Sequence, residues 1–260
     1  MSYSKKVEAR GRLIGDGTEP LICAPVVGGN FKEVLAETAA IAKLKPDLIE
    51  WRVDYFDAAS DTQRVLDLAA KVRQVADDIP LIFTLRSHRE GGEPVTLDDD
   101  GVAELCVAVC EANVADFIDF EMSAPPHHIE QVCAAGRENG TQSILSYHNF
   151  QETPDVEWLV AKFGNANALS GDIAKIAVMP QSLDDVLILL QATLRASREF
   201  PMPLISISMG GFGAVTRMIA WLFGSSVTFA VGERSSAPGQ IAIGELVAVL
   251  EILRNSLPSA

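Results

Sequence analysis

The sequence is sparing with cysteine, short of basic residues and without any long apolar run, and each shortage narrows what the chain can be. Its four cysteines, Cys23, Cys106, Cys110 and Cys133, fit a reducing compartment as free thiols. Cys106 and Cys110 stand four apart in an apolar helical pattern and share a face. No further Cys or His stands near them at ligand spacing, so packing is their expected role. Lysine and arginine number 21 against 35 aspartates and glutamates, a net charge of −14. That balance argues against nucleic acid or an anionic membrane surface as partner. No uninterrupted apolar stretch reaches the length that crosses a bilayer. The first six residues run on into Val7-Glu8-Ala9-Arg10 and not into an apolar segment, so no signal peptide is expected and the cytoplasm is the expected compartment. Linkers, repeat arrays and low-complexity segments are likewise not in view.

What is present is apolar and periodic. Hydrophobic residues make up 48% of the chain, enough for a sizeable core. A small hairpin with a glycine turn is expected over residues 6–15. From there short apolar strands alternate with helical patterns. The strands fall at 21–27, 48–54, 81–86, 117–121, 143–148, 173–180, 204–209 and 227–231. Helices are expected near 31–44, 60–78, 97–113, 126–138, 154–163, 182–198, 213–223 and 240–253. Eight strands alternating with eight helices argue for parallel pairing, and a closed barrel is the economical arrangement. A doubly wound open sheet would carry a glycine-rich dinucleotide turn after its first strand, and Val27-Gly28-Gly29-Asn30 is not that pattern. The expected fold class is α/β: a single (β/α)8 barrel domain over 1–260, with the hairpin at its bottom.

The sixth strand, Ile173-Ala174-Lys175-Ile176-Ala177-Val178-Met179-Pro180, carries a lysine inside an apolar run. Burial disfavours its charged form and lowers its pKa, and a neutral amine in a dry pocket attacks carbonyls. The plain alternative is a lysine that snorkels to water or is half of a buried ion pair. Other strand ends are charged too: Glu50 and Arg52 on the second, Arg86 with Glu90 beyond it on the third, Asp119 and Glu121 on the fourth, His148 on the fifth. Arg217 follows the Met209-Gly210-Gly211 turn. In such barrels chemistry gathers at the C-terminal ends of the strands. Three arginines and a lysine in one layer would repel a metal ion, so no metal is expected. They make a positive pocket suited to a small carboxylate. His148 suits proton transfer, with Glu90 placed to orient it. His127 and His128, after Pro125-Pro126, are expected to be solvated residues at a helix start, and His88 to face water.

Taken together these residues resemble the type I 3-dehydroquinate dehydratases of the shikimate pathway. The landmarks are Glu50-Trp51-Arg52-Val53-Asp54, Thr84-Leu85-Arg86-Ser87 with Glu90-Gly91-Gly92, Ser146-Tyr147-His148-Asn149-Phe150 and Lys175. Ser208-Met209-Gly210, Arg217 and Ser235-Ser236-Ala237-Pro238-Gly239-Gln240 follow. The resemblance implies that Lys175 forms an imine with the substrate ketone, that His148 is the acid and base, and that Glu90 is its partner. It implies that Arg217 grips the substrate carboxylate and that Glu50, Arg52 and Arg86 surround the hydroxyls and the imine. Phe150 and Met209 would wall the pocket, and Ser236 and Gln240 would lie on a loop that closes over the ligand. It further implies a homodimeric lyase serving chorismate biosynthesis, with no cofactor and 3-dehydroquinate as its small-molecule partner. Asn149 departs from the pattern, where an acidic residue often follows the histidine. Two other readings remain at this level: a class I aldolase or transaldolase-like enzyme, and a non-catalytic barrel that senses a shikimate-like acid.

Overall fold

A computed structural model describes residues 3–17, 19–232, 234 and 236–257. A two-stranded antiparallel hairpin, β1 (Val7–Ala9) and β2 (Arg12–Ile14), comes first. Its two-residue turn holds Arg10 and Gly11 at φ 47° and 77°. That left-handed pair matches the twist of the flanking strands. Eight parallel strands follow: β3 (Leu21–Val26), β4 (Leu48–Arg52), β5 (Leu81–Thr84), β6 (Phe117–Glu121), β7 (Gln142–Asn149), β8 (Ile173–Val178), β9 (Leu204–Ser208) and β10 (Val227–Phe229). The helices between and after them are α1 (Phe31–Lys43), α2 (Thr62–Ala76), α3 (Asp99–Glu111), α4 (Pro126–Asn139), α5 (Val156–Ala168), α6 (Leu183–Glu199), α7 (Gly210–Ile219) and α8 (Ile243–Ser256). The strand order is β10-β3-β4-β5-β6-β7-β8-β9. The seam between β9 and β10 is bridged by Leu204 with Ser225 and by the Ser226 N–H donating to the Leu204 carbonyl at 2.7 Å. The result is a nearly closed eight-stranded barrel inside a ring of helices, as the alternation of strands and helices predicted.

Side chains alternate across a strand with period two, and this alternation stacks the interior in layers. The lowest inward positions are apolar: Cys23, Leu48, Ile82, Phe117, Ile144, Ile173, Ile205 and Val227. They form one cluster with Val7, Ala9 and Ile14 of the hairpin, which plugs the bottom as expected. Two residues further along their strands come Glu50, Thr84, Asp119, Ser146 and Lys175, all buried. Two further again come Arg52, Arg86, Glu121 and His148. The outward faces (Ile49, Trp51, Phe83, Ile118, Leu145, Ile176) join the larger core beneath the helices. Each such fully buried large side chain contributes about 1.5–3 kcal/mol. The apolar floor and outer shell therefore carry the stability, leaving the upper interior free to be polar.

Helix starts are mostly capped by the residue that the chain supplies after each strand. Asn30, Asp61, Asp98, Asp155 and Ser182 each accept a hydrogen bond from a first-turn backbone N–H, a contribution of about 1 kcal/mol apiece. Several boundaries differ from expectation by a few residues, three of them for a visible reason. The second barrel strand stops at Arg52, because Asp54 folds back to pair with Arg52 and so holds Val53–Tyr55 in a 3-10 turn. Helix α7 starts at Gly210, not 213, since the left-handed Gly210 (φ 68°) turns the chain straight out of β9. Helix α8 starts at Ile243, because the Gln240 side chain accepts from the Ser236 N–H and is spent on the preceding loop. No helix among the described residues is long and apolar enough to cross a membrane.

Candidate active site

One cavity opens at the C-terminal mouth of the barrel, about 480 Å³ counted out to solvent. All eleven site residues picked out from the sequence line it: Glu50, Arg52, Arg86, Glu90, His148, Phe150, Lys175, Met209, Arg217, Ser236 and Gln240. They are joined there by Gly91, Ala177, Ile207, Phe229 and Ala237. Ser235, one of the landmarks, lies outside the described residues.

Lys175 stands at the centre of the interior, 4% exposed. Its Nζ donates to Asp119 Oδ2 at 2.8 Å and to Glu50 Oε1 at 3.2 Å, and lies 4.5 Å from the centre of the Phe229 ring. Burial alone would lower its pKa, as the sequence suggested. The Asp119 and Glu50 carboxylates outweigh burial and raise it. The free amine of the sequence reading is thus an ammonium clasped by two acids. Glu50 is itself anchored by the Thr84 hydroxyl, which donates at 3.0 Å.

Arg86 ties this group to the next. Its Nη2 donates to Asp119 Oδ1 at 2.6 Å, and its Nη1 donates to Glu121 Oε1 at 3.0 Å and to Ser146 Oγ at 2.9 Å. Ser146 in turn donates to Asp119 at 2.6 Å. Burial works against ionised Asp119, but Arg86 and then Lys175 hold its carboxyl well below the usual range. Arg52 is gripped bidentately by Asp54, at 2.8 and 2.7 Å. Asp54 also accepts from the Arg86 and Glu93 backbone N–H groups. The uniformly positive pocket expected from the sequence is therefore not what forms. Arg52, Arg86 and Lys175 are each neutralised by carboxylates.

Arg217 is different. It is 3% exposed, and no described carboxylate forms an ion pair with it. Among the described residues its guanidinium donates only to the backbone carbonyls of Phe229, Pro238 and Gly239, at 3.0, 3.0 and 2.7 Å. Burial pushes its pKa down to about 10. A buried cation left without an anion at a cavity wall is what recognition of a carboxylate requires. The same three bonds tie Phe229 to Pro238 and Gly239, and beside the latter pair the Gln240 side chain donates to the Ser236 hydroxyl at 3.2 Å.

His148 Nδ1 lies 2.9 Å from Glu90 Oε2, and the His148 backbone N–H donates to the same oxygen at 2.9 Å. Burial, then the Arg86 and Lys175 cations, drive the imidazole well below its ordinary pKa. Burial and the neighbouring Glu121 raise Glu90 to about 7. A neutral imidazole beside a carboxylate that titrates near neutrality is a set suited to moving a proton. Ser123 donates to Glu90 Oε1 at 2.7 Å. The turn that carries Glu90 has no room for side chains: a Cβ on Gly91 would meet the Phe150 ring at 2.3 Å, and one on Gly92 would meet the Arg86 carbonyl at 2.0 Å. Asn149, the departure noted above, accepts from the Gln151 and Glu152 N–H groups at 2.8 and 3.1 Å. It shapes the turn that sets Phe150 against Gly91.

The sequence noted Asp119 and Glu121 as charges, and Asp54, Thr84 and Ser146 as parts of its landmarks, but gave none of them a role, and it passed over Ser123 and Phe229. A signal for Asp54, Thr84 and Ser146 was available: each lies two residues from Arg52, Arg86 or His148. Among the histidines, His88 is exposed as expected and His127 is exposed, but His128 is buried at 5%. It is not a solvated cap residue, because it sits at the third position of α4 and turns inward against α3, where its Nε2 meets Asp100 Oδ1 at 2.9 Å. The four cysteines are free and buried.

Comparison with known proteins agrees with this geometry. The family model described as type I 3-dehydroquinase matches residues 22–256. A 3-dehydroquinate dehydratase of Aromatoleum aromaticum is 49% identical over 257 residues, covering 99% of each chain. That of Geobacillus thermodenitrificans is 50% identical over 254 residues, covering 97% of this chain and 98% of its own. The crystal structure of 3-dehydroquinate dehydratase from Geobacillus kaustophilus superposes with a TM-score of 0.96 at 46% identity, over 99% of this chain and 100% of that one. The type I enzyme from Clostridium difficile, crystallised with covalent modified comenic acid, gives a TM-score of 0.94 at 36% identity, over 99% and 100%. Matched across nearly its whole length in sequence and in fold, the chain belongs to the type I 3-dehydroquinase family, a family of hydro-lyases.

Proposed function

We propose that this chain eliminates water from 3-dehydroquinate to give 3-dehydroshikimate, in chorismate biosynthesis, through an imine on Lys175. One observation carries the reading: a buried lysine and a glutamate-paired histidine open onto the same cavity as a buried arginine that has no carboxylate partner among the described residues. Arg217 takes the substrate carboxylate. Arg52 and Glu50 meet its hydroxyls, and Phe150 and Met209 bound its apolar edge. Arg86 acts on the anions around it more than on substrate, since its donors are already engaged. Ser236 and Gln240, on the loop that Arg217 tethers, close over the ligand and exclude water.

The chemistry then follows from the charges. The Lys175 ammonium gives up its proton, with Glu50 and Asp119 as the acceptors in reach. The amine adds to the ketone carbon and one water leaves, forming an iminium. That cation occupies the place of the ammonium, so the same two carboxylates stabilise it. His148 takes a proton from the adjacent carbon, which the iminium acidifies, and an enamine results. The enamine electrons re-form the iminium as the β-hydroxyl departs, protonated to water by His148. One further water hydrolyses the conjugated iminium and returns the amine. The water lost in forming the imine equals the one consumed in cleaving it, so the net change is a single elimination. The covalent modified comenic acid of the Clostridium difficile relative is in keeping with a nucleophile of this kind.

Borohydride treatment with and without 3-dehydroquinate, followed by peptide mass mapping, tests the proposal. A substrate-dependent adduct on the peptide bearing Lys175 is expected. His148→Ala should still trap that adduct while kcat falls about 10²–10⁴-fold; unchanged turnover in this variant would sink the assigned role. The pH profile supplies a second check. Ionised Glu90 accepts the Nδ1 proton and leaves the Nε2 lone pair for the substrate, whereas protonated Glu90 forces the opposite tautomer. With Glu90 raised to about 7, kcat/KM should fall about tenfold per unit as pH drops below that value. His148, shifted down, does not set this limb. Glu90→Gln should remove the break, and a break that stays in place would assign it elsewhere.

The same reading makes the enzyme a cytoplasmic homodimer. Four buried free thiols support a reducing compartment. The exposed Leu183, Leu187 and Phe212 supply apolar surface for a second copy.

A further inference from the structure

Outside the cavity, Asp100, His127 and His128 converge where α3 and α4 begin. One ligand atom of each lies within 4.8 Å of the other two. The His128 Nε2 stands 2.9 Å from Asp100 Oδ1, and the two imidazole rings have centroids 4.0 Å apart. Adjacent histidines on a helix ordinarily diverge by about 100°. Here Pro125 and Pro126 fix the entry of α4 and bring the rings side by side. His128 is 5% exposed, and its inner nitrogen Nδ1 is buried without any hydrogen-bond partner. The Asp100 carboxylate faces Nε2 at hydrogen-bond distance, and a cation bound between the two would take the place of the proton they share. Asp100 and His127 are exposed and can close by the ångström or so that ligation at 2.0–2.2 Å requires. Helix N-termini repel cations, but Asp98, Asp99 and Asp100 place three carboxylates in succession there.

We propose that these three residues form a surface site for a divalent transition cation of the zinc class, stapling α3 to α4. Two imidazoles and a carboxylate, with remaining positions open to water, suit Zn²⁺, Co²⁺, Ni²⁺ or Cu²⁺ and not the oxygen-seeking Mg²⁺ or Ca²⁺. The site touches none of the reacting groups. It sits at the start of α4, just past the Ser123 that holds Glu90, so its occupancy acts on stability and not on the chemistry. With no partner on the inner nitrogen to raise ligand basicity, the affinity belongs to the micromolar class.

Tag-free, chelator-stripped protein titrated with Co²⁺ alone tests this directly. One equivalent should bind with visible ligand-field absorption, Zn²⁺ should displace it, and saturating Zn²⁺ should raise Tm by about 5 °C. His127→Ala and Asp100→Asn alter exposed side chains and leave the fold and basal activity unchanged. Each should weaken Co²⁺ binding at least tenfold and abolish the Tm shift. No saturable binding up to about 1 mM Co²⁺, or equal binding in both variants, overturns the proposal. Binding that is lost instead in His148→Ala also overturns it, since the cation would then belong to the catalytic cavity.

Discussion

Lys175→Ala is expected to lose borohydride trapping altogether and to reduce turnover by at least about 10⁴-fold, the scale on which removal of a covalent nucleophile is felt. The structure adds a cost that burial of a lone lysine would not suggest. Its ammonium lies between Asp119 and Glu50, both buried. Asp119 keeps Arg86 and Ser146 as partners when the lysine is gone, while Glu50 keeps only the Thr84 hydroxyl. Removing one partner of a buried ion pair costs about 3–5 kcal/mol. The variant should fold but melt lower than the parent. An unpaired buried carboxylate escapes its cost by taking a proton, so the deficit should be larger at about pH 8 than at about pH 5. Thermal denaturation at both values checks this. Equal deficits would mean that water, and not a stranded charge, fills the vacated place.

Replacing Arg86 by methionine should cost stability on the same scale. The guanidinium is opposed by burial, yet Asp119 and then Glu121 raise its pKa further above the usual range, and it stays charged. It is the cation shared by Asp119 and Glu121, and it stands 3.9 Å from Glu90. Without it Asp119, Glu121 and Glu90 lose the cation that stands among them. A loss of about 3–5 kcal/mol is expected, which lowers Tm by about 10 °C for a domain of this size. The kinetic signature distinguishes this from simple damage. Arg86 is the cation that opposes the rise of Glu90, so its removal should move the acid limb of kcat/KM upward by about one unit. A stable variant with an unshifted limb would show that the arginine only fills space.

Asp119 illustrates how stability and chemistry share one residue. Its folded pKa is held below the unfolded value, so its contribution is present above about pH 4 and is lost as pH falls toward the folded value. Glu90 runs the other way. Its pKa is raised, so its contribution is complete below the unfolded value and is lost as pH rises through about 7. The ionised Glu90 that orients His148 is therefore the form that the fold disfavours, a stability cost located at the acid-base pair.

The eight-fold alternation of strand and helix was legible in the sequence because short apolar strands and longer amphipathic helices leave different periodicities. So were the identities of the principal site residues, since charges inside otherwise apolar strands are costly and stand out. Element ends were less legible. Asp54 ends β4 through a bond to Arg52 and two backbone donors on another loop, and the donors are not neighbours in the chain. Charge states lay furthest out of reach. The sequence shows that Lys175 is buried, and burial alone lowers an amine's pKa. Its actual state is decided by Asp119, 56 residues away, and Glu50, 125 residues away, once barrel closure brings their carboxylates to 2.8 and 3.2 Å from its Nζ. The same closure neutralises Arg52 and Arg86, leaves Arg217 without a described acidic partner, and turns His128 inward to Asp100. The sequence by itself determined which residues face the barrel interior, because period two is a local property of each strand. The tertiary structure alone decided which of them meet, and so which are charged, because Coulomb energies and desolvation depend on distances that only the closed barrel sets.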